Sequence, residues 1–264
     1  MKKIIIISIF FANLFSSIFA DYHGVYFYNP NIIFEWSPKA GNTNFKKTLI
    51  KNYELKNKEN LIRYINKNKV TKKDLLNTKW YRVKLIRSPY LRAVSCYLHI
   101  IIKEARLNLS FEEFLSILKN KKVKYLGKKK YIISHHCGEQ YNEEDKYINK
   151  FLYLENPENI EELNAKTGLN LNLNSNQPHH TSYIKTYPYY VGHLKFKKNK
   201  TGFPPYYCFY SEKSLQLVQE AFPNDTTKYD YEVPEEVLEF IESQKHIENP
   251  FKENQVWTPP NITS

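Results

Sequence analysis

The segment from Asn31 to Asn44, N-I-I-F-E-W-S-P-K-A-G-N-T-N, constrains this chain more than any other stretch. N-I-I-F-E-W is a short apolar run of strand-forming residues, and Ser37 and Pro38 punctuate its end. From Thr43 to Tyr53 the apolar residues Phe45, Leu49 and Ile50 fall on one helical face. A buried strand therefore passes through a short turn directly into a helix, the repeating unit of layered α/β folds. The turn also has a chemical consequence. A helix N-terminus leaves backbone N–H groups unpaired and carries a partial positive charge, so it favours phosphate and sulfate. Gly41 lets the backbone come close to an anion, Lys39 adds a mobile cation, and the Thr43 hydroxyl adds a donor. The spacing is not that of a Walker A loop, because the lysine precedes the glycine instead of following it. Taken alone, an ordinary strand-to-helix turn with a surface lysine explains these residues equally well.

A second segment repeats the logic. W-Y-R-V-K-L-I (Trp80 to Ile86) alternates like a strand, and Pro89 opens a helix carrying Leu91, Val94, Tyr97 and Leu98. Arg87 stands at the carboxyl end of that strand and Ser95 about two turns into the helix. A guanidinium grips phosphate through paired N–H donors, and ligands of open α/β sheets bind at strand carboxyl ends. Downstream, Ser110 and Glu113 form a capping-box pattern before a helix over 111–119. F-L-Y-L-E (Phe151 to Glu155) reads as a strand, and Asn156 and Pro157 start a helix that ends near Gly168. Helices are also expected around 212–221 and 234–243. The stretches 54–79, 120–147 and 170–205 read as surface loops or small helices. No repeat or Pro/Gly-rich linker interrupts this order, which predicts a single α/β domain with a mostly parallel sheet and elaborated loops.

The chain has 264 residues and a net charge of +12, with 42% hydrophobic residues. That supports a packed core and an anionic partner, although Lys, Asn, Ile and Tyr are all abundant, so codon bias explains much of the excess. Residues 1–20 read as a targeting segment: Lys2 and Lys3 precede an apolar run from Ile4 to Phe19 that ends at Ala20. Cleavage after Ala20 and retention as a signal anchor are both open, and residues 21–264 form the luminal or secreted domain in either case. Nucleic acid is then an improbable partner. The three cysteines are too few for a disulfide scaffold. Cys96 falls in an expected buried helix, which leaves Cys137 with Cys208 as the expected bridge.

Together, the two segments resemble the 5′-phosphosulfate and 3′-phosphate signatures of the membrane-anchored carbohydrate sulfotransferases of the Golgi. That family reads Pro-Lys-Ala-Gly-Cys-Thr-Ser/Thr-Trp and then Val-Arg-Asp/His-Pro-Phe-x-Arg-Leu-Val-Ser-Ala-Tyr. The counterparts here are residues 38–45 and 86–97. Weaker echoes cover Phe151 to Glu162 and Glu220 to Tyr231. The resemblance implies a P-loop-like anion site and the sulfuryl donor 3′-phosphoadenosine 5′-phosphosulfate, with a glycan hydroxyl as acceptor and no metal. It implies that Lys39, Ala40, Gly41, Asn42, Thr43 and Asn44 hold the 5′-phosphosulfate, and that Arg87 and Ser95 hold the 3′-phosphate. Asn42, Asn44 and Ser88 depart from the family's residues while keeping hydrogen-bonding capacity.

Sulfuryl transfer needs a base to take the acceptor proton and a cation at the leaving phosphate, the second a role for Lys39. S-H-H-C-G-E-Q (Ser134 to Gln140) supplies the candidate bases, His135 or His136, where the family carries a His-Trp-x-Pro-Gln loop; Gln140 is the counterpart of its Gln. Glu35 is a lower-ranked alternative base. Zinc binding by His135, His136 and Cys137, with His179 and His180, is disfavoured because adjacent histidines suit zinc poorly and no matching cysteine pair exists. The competing classes are a noncatalytic secreted module that binds acidic glycans through Lys-rich loops, and another P-loop-like nucleotide-dependent transferase.

Overall fold

The computed structural model describes residues 24–28, 31–52, 58–71, 73–77, 79–100, 108–120, 133, 136–171, 184, 186–197, 202–253 and 255–258. The targeting segment, the lysine run at 121–130, His135, and the His179–His180 pair lie outside them. Four strands form one sheet in the order β1 (Gly24–Tyr28), β2 (Asn31–Trp36), β3 (Tyr81–Ile86) and β4 (Lys150–Tyr153). β2, β3 and β4 run parallel, and β1 is added antiparallel along β2. The α/β reading therefore holds, with a mostly parallel sheet. Parallel strands buried on both faces read as continuous apolar runs, and β2 is buried from Ile32 to Trp36.

Eight α-helices surround the sheet among the described residues: α1 (Asn42–Asn52), α2 (Lys58–Lys67), α3 (Pro89–His99), α4 (Phe111–Lys119), α5 (Pro157–Thr167), α6 (Glu212–Ala221), α7 (Pro223–Lys228) and α8 (Glu235–Gln244). Among the described residues no helix is long and apolar enough to cross a membrane. The expected caps are present. The Ser110 hydroxyl accepts from the Glu113 N–H while the Glu113 carboxylate accepts from the Ser110 N–H. The Asn156 side chain accepts from the Glu158 N–H, and Gly168 ends α5 at φ 69°.

Each sheet face has its own chemistry. On one, Ile32, Phe34, Trp36, Val83, Leu85 and Leu152 pack with Phe45 of α1 and Ile160 and Leu163 of α5. Phe45 stacks on Phe34 with ring centroids 4.3 Å apart and leans on Trp36 at 4.8 Å. A helix as short as α1 is marginal in water by itself, so this aromatic docking fixes where its N-terminus points. The opposite face takes the alternate residues: Ile33 packs with Val70 and Leu75, while Glu35 and Lys84 are buried there with 3% and 1% exposure. A second core, built on α3, α4, α6 and Tyr206–Phe209, lies beside the sheet.

Three expectations change. Tyr187, Val191, Leu194, Phe196 and Phe203 are core residues of the second cluster, so the 170–205 region is not a surface loop over its described part; its apolar residues lack a period because the backbone there is irregular. The strand expected to reach Glu155 stops at Tyr153, where a turn swings Glu155 toward Ser88. All three cysteines are free thiols. Cys208 donates to the Tyr187 carbonyl at 3.2 Å, whereas the Cys96 thiol donates to the His136 carbonyl, next to Cys137.

Candidate functional site

The two anion-type loops leave adjacent strands. Because β2 and β3 are parallel, with Trp36 opposite Leu85, their carboxyl ends emerge side by side. The β2–α1 loop is tightly wound: the Ala40 N–H reaches the Ser37 carbonyl at 3.1 Å, and the Phe45 N–H reaches Gly41 at 3.0 Å. Lys39 and Gly41 have φ of 67° and 74°, in the left-handed region that a lysine enters only at a cost. The glycine is required for a reason the sequence did not suggest. A Cβ at Gly41 would meet Leu154 Cδ1 at 3.0 Å and Leu85 Cδ2 at 3.3 Å, so the missing side chain makes room for the sheet below the loop. Asn42, Thr43 and Asn44 form the first turn of α1, where backbone N–H groups have no intrahelical partner; their side chains lie outside the described set.

The β3–α3 loop is held from three directions. Arg87 Nη1 donates to the Lys39 carbonyl at 3.2 Å, joining the two loops. The Gln140 side chain behaves as an extra strand residue: its Oε1 accepts from the Arg87 N–H at 3.0 Å and its Nε2 donates to the Arg87 carbonyl at 2.7 Å. The Glu155 carboxylate accepts from the Ser88 N–H at 3.1 Å, lies 3.7 Å from Arg87 Nε, and also accepts from the Tyr231 hydroxyl. Arg87 Nε and Ser88 Oγ remain buried with no hydrogen-bond partner, an uncommon state for buried polar atoms. Along α3, Leu91, Ser95 and His99 recur every four residues as a half-buried stripe, in contrast to the buried residues between them.

His136 is half-buried; its ring packs edge-on to His99 at 4.6 Å, and its carbonyl accepts from the Cys96 thiol at 2.9 Å. The region is cationic. Although burial opposes it, the Cys96 thiol is pulled down to about 7 by a hydrogen bond from Cys137 and by the charges of Arg92, Lys39 and Arg87. The charges of all three cations are felt at this one sulfur, which sits against the His136 carbonyl. Among the described residues no group of three or more His, Cys, Asp or Glu could hold a metal ion.

Behind the loops lies a buried polar network. Lys84 Nζ donates to Asp145 Oδ1 at 2.5 Å and to the Gln140 carbonyl at 2.6 Å, and the Tyr229 hydroxyl donates to Asp145. Arg92, 1% exposed, donates to the Gly138 carbonyl and pairs with Asp225 at 3.2 Å. Asp225 Oδ1 accepts the N–H groups of Gln140 and Tyr141 at 2.7 and 2.9 Å. Glu35 is pushed up to about 8 by burial, with Lys84 opposing and Asp145 and Glu144 reinforcing the shift. At 3% exposure, with Oε1 unpartnered, Glu35 is shut away from any acceptor hydroxyl. The structure thus brings Lys39 and Arg87 together and sets His136 beside the helix that carries Ser95. Nothing in sequence order marked Gln140 as the residue that pins Arg87, because the bond spans 53 positions.

Comparison with known proteins identifies no relative: no family model matches the chain, and neither a curated protein nor a solved structure matches it. The functional reading rests on the chemistry of these residues and on the motif resemblance.

Proposed function

We propose that the chain is a sulfotransferase that moves a sulfuryl group from 3′-phosphoadenosine 5′-phosphosulfate to a carbohydrate hydroxyl, using a P-loop-like anion site. The observation that carries this reading is the 3.2 Å bond from Arg87 to the Lys39 carbonyl, which makes one site of two loops that each suit a phosphate or sulfate. A donor with anionic groups at both ends of a nucleoside fits two adjacent anion sites better than a single phosphate does. The residues suit the donor on independent grounds. Arg87 Nε is buried with no hydrogen-bond partner, its nearest anion being Glu155 at 3.7 Å, and the Gly41 turn presents the first amides of α1. Glu155 takes one side of the guanidinium and orients it.

On this reading Lys39 and the amides of residues 41–44 hold the phosphosulfate and stabilise the charge that grows on the leaving 5′-phosphate, while the Ala40 amide is already committed to the Ser37 carbonyl. Arg87 and Ser95 hold the 3′-phosphate. His135 or His136 takes the acceptor proton, the second with its ring already braced by His99. Residues 1–20 place this domain in the lumen of the secretory pathway, anchored or secreted, where an imported donor would meet glycans.

Calorimetry with adenosine 3′,5′-bisphosphate tests the proposal. Micromolar binding that is lost in Lys39→Ala and Arg87→Ala supports it, followed by transfer of labelled sulfate to a panel of desulfated glycans. No nucleotide binding, with salt-sensitive binding to acidic glycans in its place, refutes it and favours a noncatalytic glycan-binding module.

A further inference from the structure

Two of the three cysteines are brought onto neighbouring backbone although they are far apart in the chain. Cys96 is buried in α3, and its thiol donates to the His136 carbonyl at 2.9 Å, which sets the sulfur against the backbone that leads into Cys137. Cys137 is itself 3% exposed and belongs to the same apolar cluster as Cys96. Cys208, wholly buried, is engaged elsewhere with the Tyr187 carbonyl. A Cys96 sulfur held against the backbone of the residue before Cys137, with both thiols in one buried cluster, is the placement a disulfide needs, since bridging fails when the two side chains point apart.

We infer that Cys96 and Cys137 form a cross-linking site that closes an intramolecular disulfide when the chain folds in the presence of a disulfide oxidant. The oxidant is a small-molecule or protein disulfide. The Cys96 thiolate attacks one of its sulfurs, forming a mixed disulfide and releasing one carrier thiolate. The Cys137 thiolate then attacks Cys96 Sγ, closing the bond and releasing the second carrier thiolate. The two cysteines lose two electrons and two protons, and the carrier becomes two thiols. Both sulfurs are buried once α3 and the 136–140 segment are packed, so closure accompanies folding. The bond ties the middle of α3 to the strap that carries Gly138 and Gln140, the partners of Arg92 and Arg87. It does not depend on what the anion site binds.

The test is a disulfide map. The full chain is synthesised in a cell-free system buffered with reduced and oxidised glutathione, then acid-quenched, alkylated in denaturant without reduction, digested and analysed by mass spectrometry. The expected product is a peptide pair joined through Cys96 and Cys137, two hydrogens lighter than the reduced pair, with Cys208 alkylated. Cys208→Ser should give the same linked pair. Alkylation of both Cys96 and Cys137, or a linked peptide that contains Cys208, overturns the inference.

Discussion

Glu35 offers the most direct test of the buried network. Its neighbour Lys84 has already committed its ammonium to Asp145 and to the Gln140 carbonyl, which leaves one carboxyl oxygen of Glu35 without a partner. A buried carboxyl in that position keeps its proton, and burial raises it from an ordinary 4.5 to about 8. The folded chain therefore holds this proton more tightly than the unfolded chain between those two values. Linkage then makes stability fall as pH rises from 4.5 to about 8, by about 1.4 kcal/mol per pH unit, with no further loss above. The whole effect is about 5 kcal/mol as an upper bound, and about 3 kcal/mol of it is reached by pH 7. Glu35→Gln removes the titration and leaves the shape. Urea unfolding followed by tryptophan fluorescence from pH 5 to 8 should show the variant gaining on the parent steadily with pH, whatever their offset at pH 5. Trp36, next in the chain and buried, is a nearby reporter. Parallel stability curves for parent and variant across that range would refute the neutral, unpartnered carboxyl.

Three further outcomes follow from the geometry. Gly41→Ala forces a side chain into φ 74° and against Leu154, and should cost about 1–3 kcal/mol in chemical unfolding; an unchanged midpoint would contradict the tight approach. Gln140→Ala removes both bonds that pin the Arg87 backbone. It should cost about 1–3 kcal/mol in stability and also weaken adenosine 3′,5′-bisphosphate in calorimetry, so unchanged nucleotide affinity in a destabilised variant would show the clamp to be structural only. Asp225→Ala strands the buried Arg92 charge and frees two backbone amides, and should cost about 3–5 kcal/mol in thermal or urea unfolding; a loss under about 1 kcal/mol would mean that water reaches the pair.

Much of the frame was legible because it is local. β2, α1, β3, α3, α4 and α5 follow from apolar runs, a proline at a first turn, a capping box and a terminal glycine, each confined to a few neighbouring residues. The turn at 37–41 was legible as a turn, but its glycine was explained by an approaching anion, whereas Leu154 and Leu85 are what a side chain there would strike. β1 does carry a local mark in the β-prone residues 25–28, but its antiparallel pairing along the edge of β2 does not. Lys84 is a position where local pattern and structure part. Its place in the alternating Y-R-V-K-L-I suggests a solvated face, yet that face is covered by the 138–147 segment and Tyr229. Elimination by helix burial points to Cys137 with Cys208, whereas the structure has three free thiols and sets Cys96 beside residue 136, a contact between distant segments that leaves no local mark.

The polar face of the sheet explains why the candidate site has the shape it does. Buried ion pairs seldom add net stability over apolar residues of the same volume, so Lys84–Asp145 and Arg92–Asp225 are weak candidates for what holds the fold together. Their geometry points to another role, since both converge on the same strap. Lys84 takes the Gln140 carbonyl, Asp225 takes the Gln140 and Tyr141 amides, and Arg92 takes the Gly138 carbonyl. With its backbone fixed from both sides, Gln140 has its side chain left to pair with Arg87. Arg87 in turn reaches the Lys39 carbonyl, so the left-handed turn above β2 is braced through three successive contacts from the protein interior. A helix N-terminus on a loop braced only from its own strand would wander with the loop. Here the charged interior removes that freedom and holds the Arg87 guanidinium beside the first amides of α1 in one fixed arrangement, the preorganisation that the proposed stabilisation of a leaving phosphate would use.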